Sequence, residues 1–254
     1  VVLVGASASV ATAEERYVLV VRADGTLESV ATSGPILGGW YSLTRMTDAT
    51  ATSDGGFVVS GSTGPYPGCP FLWKFGADGS EQWLRLYQGA AFARTAESVS
   101  ESADGSLILT GFAQGSPQPT ALLRVEAGGD LRWARRLFAP GGMYSTGVSA
   151  VERPDGDLLL VQTLTGAVAA KDVRTDLVRL TGDGVQLERT TVPGGEFATS
   201  MVEVFVFDAS SPEGYLRSVT RNDLGPCQPE DLWFVAQDVP QPFGLSSSRV
   251  DDGS

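Results

Sequence analysis

Short apolar runs, some alternating with polar residues and some continuous, recur along the 254-residue chain, each closed by a turn containing glycine. The clearest copies are DGGFVVSGST at 54–63, DGSLILTGFA at 104–113 and DGDLLLVQTL at 155–164. Their Asp-Gly pairs begin at Asp54, Asp104 and Asp155, a period of about fifty residues that marks a repeat architecture. A second pattern follows each copy: PFLWKFGADGSEQWLRLY at 70–87, TALLRVEAGGDLRWARRLF at 120–138 and TDLVRLTGDGVQLERTTV at 175–192. Asp-Gly or Gly-Gly between two β-patterned runs predicts a hairpin, because these residues accept the positive φ of a type I′ turn. Each unit is therefore expected to hold four strands in two hairpins.

The same template fits both ends. VVLVGAS at 1–7 matches a second strand, RYVLVVRADGTLESVAT at 16–32 matches a third and fourth, and SSSRVDDGS at 246–254 matches the first strand that the N-terminus lacks. A last, irregular unit offers MVEVFVFDA at 201–209, GYLRSVTRN at 214–222 and EDLWFVAQD at 230–238. The fold predicted is an all-β propeller of five blades in one domain: 1–34 with 245–254, then 35–89, 90–140, 141–194 and 195–244. The N- and C-termini would share one blade, since a ring closes without open sheet edges only in that way. A cut portion of a larger ring or array is the alternative. The chain opens without Met, so a mature or excised piece of a longer precursor is expected.

The units resemble the propeller-type repeats of bacterial secreted and cell-surface proteins known as SBBP-like or delta-60-like repeats. Asp54, Gly55, Gly56, Gly61, Trp73, Lys74, Asp78, Gly79 and Trp83 carry the resemblance in one unit, and Asp104, Gly105, Gly111, Arg124 and Trp133 in the next. It implies a propeller fold and export, and no activity. The chain departs from the pattern at Gln162, where Gly61 and Gly111 have no counterpart, and around Leu187, where the Trp is lost.

Composition narrows the chemistry. A net charge of −12 opposes nucleic acid and anionic membranes as partners, which need a basic surface. The absence of histidine removes Ser-His-Asp and Cys-His nucleophile systems and the commonest zinc ligand. Each Asp-Gly turn offers one carboxylate rather than the dense D-x-[DN]-x-[DN]-G spacing of a calcium loop, so turn formation outweighs metal binding and no metal or cofactor is expected. Neighbouring acids such as Asp251 and Asp252 point to opposite sides of a strand and form no acid–base pair, and no catalytic residue is assigned.

In a four-stranded antiparallel unit the Asp-Gly turns share one end, and the second-to-third loops and inter-unit connections share the other. These loops vary, in segments 8–15, 35–45, 64–69, 89–96, 114–119, 140–147, 165–174, 194–200 and 223–229, and loops on a rigid scaffold carry function. Trp40, Tyr41, Tyr66 and Tyr144 are the candidate ligand-binding aromatics there, while Trp73, Trp83, Trp133 and Trp233 read as core. Cys69 and Cys227 fall in matching loops, as separate thiols or as a disulfide if the loops lean together. The reading is a non-catalytic extracellular or cell-surface module that binds a protein or glycan, as a monomer or part of a larger chain. A propeller glycosidase or lyase with central carboxylates and a structural spacer are the alternatives.

Overall fold

The computed structural model describes residues 2–9, 12–21, 26–33, 44–63, 68–87, 93–166, 173–192, 214–221, 231–238 and 248–249. They form antiparallel strands in five sheets, each running in sequence order. The first holds β1 (Val2–Ser9), β2 (Thr12–Val21) and β3 (Leu27–Ser33), and the second β4 (Thr44–Ala51), β5 (Phe57–Thr63), β6 (Cys69–Phe75) and β7 (Glu81–Leu86). The third holds β8 (Ala93–Glu101), β9 (Leu107–Ala113), β10 (Thr120–Val125) and β11 (Leu131–Leu137). The fourth holds β12 (Tyr144–Glu152), β13 (Leu158–Thr165), β14 (Val173–Leu180) and β15 (Gln186–Val192). The fifth holds β16 (Gly214–Arg221), β17 (Asp231–Asp238) and β18 (Ser248–Arg249). By its contacts the chain divides into two compact units, Val1–Phe138 and Ala139–Ser254, where the sequence predicts one domain.

The C-terminal strand corrects one expectation. Ser248 and Arg249 pair with Phe234 and Trp233 of β17, and the first sheet is β1-β2-β3 without them. The physical reason is proximity along the chain: β18 follows β17 closely in sequence, and closing a short loop costs less entropy than pairing with the far terminus. Residues 201–209 and 250–254 lie outside the described residues.

The turns correct another. Gly55 N donates to Thr52 O and Thr52 N to Gly56 O, both at 2.9 Å, and Gly55 has φ +83°. This is a turn over Thr52–Gly55 whose last residue is a left-handed glycine that forms a bulge, rather than the two-residue type I′ turn. The pattern repeats at Ser102–Ser106, Arg153–Asp157, Gly76–Ser80, Glu126–Asp130 and Thr181–Val185. Aspartate stabilises it by accepting the amide two residues on: Gly56 on Asp54, Ser106 on Asp104 and Ser80 on Asp78 at 3.0 Å, and Asp157 on Asp155 at 3.1 Å.

Burial explains the strand patterns. β5, β9 and β10 are buried along their whole length, so they read as continuous apolar runs, whereas β7 and β11 are exposed or half-buried along most of theirs. One face of the second sheet joins Phe57, Val59, Phe71, Trp73 and Phe75, with Met46, Leu84 and Leu86 against them. The other face packs Val58, Leu72, Trp83 and Tyr87 on Val99, Leu107, Leu109, Leu123 and Val125 of the third sheet. The tryptophans therefore do not occupy equivalent places. Trp73 lies on β6, where the register sets Leu123 and Val178 in the corresponding strands, while Trp83 and Trp133 lie on β7 and β11 opposite Lys74 and Arg124.

First strands carry bulges. In β4 the ladder shifts between Met46 and Asp48, and in β8 between Ala96 and Ser98, each beside a glycine of the second strand, Gly61 or Gly111. A Cβ on Gly61 would lie 2.3 Å from Arg45 O, and one on Gly111 1.8 Å from Thr95 O. Close backbone approach thus requires glycine at both. In β12 the bulge moves to between Ser145 and Gly147, and Val148 faces Gln162 in regular pairing, which makes room for a side chain. Gly111→Ala is expected to cost about 2–3 kcal/mol in urea unfolding, since backbone must shift to admit one methyl group; an unchanged midpoint would contradict the close approach.

Candidate functional site

At the turn end of each complete sheet, a cation from the third strand reaches back to the aspartate of the first turn. Lys74 Nζ donates to Asp54 Oδ1 at 2.8 Å and to Thr52 Oγ1 at 2.5 Å. Arg124 donates from Nε to Ser106 Oγ at 2.8 Å and from Nη2 to Asp104 Oδ1 at 3.1 Å. Arg179 Nε donates to Asp157 Oδ2 at 2.7 Å, and its Nη2 lies 3.5 Å from Asp155. The stems of Lys74 and Arg124 are buried and only the carboxylates reach water, so each pair acts as a latch closing the hairpin onto the third strand.

These contacts set the acid behaviour. Hydrogen bonds from Lys74, Thr52 and Gly56 hold the Asp54 carboxyl well below its usual range, and Ser106 followed by Arg124 does the same for Asp104. A carboxyl lowered in the folded state stabilises it above the ordinary value of 3.8 and loses that contribution as pH falls below it. Asp104→Asn should therefore be less stable than wild type near neutral pH, with the gap in urea midpoint closing below about pH 4. A gap that persists at low pH would contradict the latch.

The inner edge strands carry a second set of carboxyls. Asp48, next to the β4 bulge, accepts Ala49 N at 2.8 Å and Val99 N at 2.9 Å. Ser62 Oγ accepts Ala96 N at 2.7 Å, and Glu101 accepts Ser53 N at 2.7 Å and Ser53 Oγ at 3.0 Å. Side chains thus satisfy edge amides that no neighbouring strand reaches, and they fasten β8 to the second sheet. Burial pushes the carboxyls of Asp48 and of Glu97, the β8 bulge residue, upward; Val99, Ala49 and Ser98 oppose this at Asp48, and Arg45 and Thr95 at Glu97.

The fourth sheet breaks the repeat. By register Gln162 takes the place of Gly61 and Gly111, Asp176 that of Phe71 and Ala121, and Arg189 that of Leu84 and Ala134. The three lie on one face, with Thr191 opposite Asp176. Asp176 is fully buried: Oδ2 accepts Arg189 Nη1 at 2.8 Å and Arg174 Nη2 at 3.2 Å, and Oδ1 accepts Thr191 Oγ1 at 2.9 Å with Arg174 Nε 3.2 Å away. Arg189 Nη1 also donates to Gln162 Oε1 at 2.9 Å. Two guanidinium groups surround one carboxylate, and Arg174 keeps 30% of its side-chain surface in solvent. The lone substitution at Gln162 was visible in the sequence; the other two emerge only when the copies are aligned through strand register.

A cleft of about 260 Å³ opens between the second and third sheets, lined by Arg85, Leu86, Tyr87, Leu123 and the Gly129–Leu131 segment. Tyr87 is buried beneath it and donates its hydroxyl to Gly129 O at 3.0 Å, and burial raises its phenol. A Cβ on Gly129 would lie 2.7 Å from Arg85 Cγ, so the cleft is closed at one side by a turn seated on β7.

Of the aromatics singled out in the sequence, Tyr144 begins β12 and is half-buried, while Trp40, Tyr41 and Tyr66 lie outside the described residues. Cys69 is a half-buried free thiol at the start of β6, and Cys227 lies outside the described residues. Segment 8–15 is mostly strand rather than loop, since β1 runs to Ser9 and β2 begins at Thr12. Among the described residues no three His, Cys, Asp or Glu side chains gather as a metal site, and no helix is long and apolar enough to cross a membrane.

No family model matches the chain, and no curated protein matches it. Solved structures do. A protein of unknown function from Dyadobacter fermentans is 11% identical with a TM-score of 0.58, over 88% of this chain and 68% of its own. A levansucrase from B. megaterium is 8% identical with a TM-score of 0.58, over 100% of this chain and 82% of its own. One from B. subtilis is 9% identical with a TM-score of 0.52, over 99% and 81%. At such identities the likeness concerns the fold and no activity. The chain is an all-β protein of antiparallel sheets, and its structural neighbours include propeller folds, among them enzymes and a protein of unknown function.

Proposed function

We propose that this chain is a non-catalytic, extracellular or cell-surface interaction module, its five sheets acting as propeller blades that present variable loops to a glycan or protein. The supporting observation is how its carboxylates are used. Asp54, Asp104, Asp155 and Asp157 latch hairpins, Asp48 and Glu101 fasten neighbouring strands, and Asp176 holds two arginines. Groups engaged in this way stabilise a scaffold, and the varied segments at the opposite end of each sheet are then the part free to differ in function. The resemblance to bacterial secreted repeats supports export.

Screening the full chain against glycan and cell-surface protein arrays tests the reading. A bound partner is expected to be lost on Trp40→Ala or Tyr144→Ala with the melting temperature kept. Binding insensitive to both variants would remove these loops from the site, and no binding at all would favour a structural spacer.

Glu97 favours a second reading. It sits in a bulge on an inner edge strand with its carboxyl raised by burial, as a general acid requires, which is the glycosidase alternative. The partner such a reaction needs is harder to supply, because Asp48 already accepts two backbone amides. Hydrolysis of an oligosaccharide that Glu97→Gln abolishes would establish the enzyme and overturn the non-catalytic reading.

A further inference from the structure

On one face of the fourth sheet two guanidinium groups meet a single carboxylate, in a chain of net charge −12. Arg174 and Arg189 both pair with Asp176, and one carboxylate neutralises one guanidinium. Arg189 is the inner of the two, 13% exposed and held by Gln162 as well as Asp176. Arg174 is the outer, near the start of β14, at the end of the sheet opposite the Asp-Gly turn. It turns Nε and Nη2 toward Asp176, which leaves Nη1 out of the pair.

Three features separate this arrangement from the latches of the repeat. First, it stands at the loop end of the sheet, whereas Lys74, Arg124 and Arg179 all serve the turn end. Second, it replaces positions that are glycine or apolar in the two preceding sheets, which need no charge for the same fold. Apolar residues there would fold at least as well as buried ions, so the ionic set is a cost that the scaffold itself does not require. Third, its charges do not balance, unlike the Lys74–Asp54 pair. Breaks in an otherwise consistent pattern mark functional positions.

We propose that Arg174, pre-oriented by Asp176 and backed by Arg189, binds a carboxylate group of an acidic sugar. The inference rests on the binding role proposed above and names the ligand class for one of its loop ends. A guanidinium already fixed on one edge loses little entropy when it donates to an incoming carboxylate, and a half-buried site strengthens that contact relative to water. The exposed Thr191, on the same face and at the same end of the sheet, supplies a hydroxyl of the kind that pairs with sugar hydroxyl groups.

Calorimetric titration of the full chain with trigalacturonate, its methyl ester, maltotriose and a glutamate-rich peptide tests this. Trigalacturonate is expected to bind, with added salt weakening it, and the methyl ester to bind at least about tenfold more weakly, the effect of losing one charge-assisted hydrogen bond. Arg174→Gln should weaken trigalacturonate at least about tenfold with an unchanged melting temperature, and Arg174→Lys should recover part of it. The combined variant Gln162→Gly, Asp176→Phe, Arg189→Leu, which restores the apolar set of the second sheet, should fold and lose the same binding. Equal affinity for acid and ester, or undiminished binding by Arg174→Gln, overturns the proposal, as does capture of the peptide in place of the sugar. If trigalacturonate fails while another partner binds in a Trp40-dependent way, the interaction role survives without this site.

Discussion

Asp176→Ala should lower the free energy of unfolding by about 3–5 kcal/mol, because it removes a fully buried carboxylate from between two guanidinium groups and leaves the inner one, Arg189, without its counter-charge. The size of the effect comes from the unpaired charges rather than from the lost attraction. Removing the carboxylate together with its inner partners should be far milder, because the remaining Arg174 and Thr191 both reach water: the combined Gln162→Gly, Asp176→Phe, Arg189→Leu variant should lie within about 1–2 kcal/mol of wild type, in either direction. Equilibrium unfolding in urea with both variants separates the two cases. A small loss for Asp176→Ala alone would mean that the arginines reach water freely, and the site would then be an ordinary surface cluster.

Trp73→Ala is the second large effect, expected at about 3–5 kcal/mol. The indole is 1% exposed, its ring centroid lies 4.5 Å from that of Phe75, and Phe75 stacks on Phe57 at 4.8 Å. The surrounding strands are held by ladders on both sides, so the cavity cannot collapse and its walls lose their contacts. Trp83 offers the comparison. It is only half-buried, on the outermost strand, and Trp83→Ala should cost clearly less than Trp73→Ala in the same assay. Equal losses would contradict the placement of the two rings on opposite faces of the second sheet.

Local signals were the legible ones. Asp-Gly pairs located the hairpins, since a left-handed glycine and an aspartate that bonds the amide two residues on need nothing from the rest of the chain. The turn type differed from the expected type I′ because the same Asp-Gly pair also serves a turn that ends in a glycine bulge, and the choice depends on ladder pairing at Thr52 and Gly56. The role of Lys74, Arg124 and Arg179 was hidden for a related reason: each reaches a residue about twenty positions earlier, and only strand pairing brings the two together.

The candidate site was the least legible. Gln162 stood out as a lost glycine, yet Asp176 and Arg189 read as ordinary polar residues of strands, and their meeting depends on register across three strands. Pairing of Ser248 and Arg249 with β17 could not be read from likeness to other first strands, because a two-residue strand carries too little pattern to choose its partner. The tryptophans misled in a simpler way. Trp73 and Trp83 share a residue type but sit on different strands and opposite faces, and type alone does not report face.

The most direct test of the account is amide hydrogen exchange of the intact chain, read residue by residue. The central claim is a scaffold of repeated four-stranded sheets in which the second and third strands are interior and the fourth is an edge. It predicts slow exchange recurring over Phe57–Thr63, Leu107–Ala113 and Leu158–Thr165, with faster exchange along Glu81–Leu86, Leu131–Leu137 and Gln186–Val192. Protection that ignores this period, or that is strongest in the fourth strands, would contradict the repeated sheet and with it the assignment of the turn end to structure and the loop end to binding.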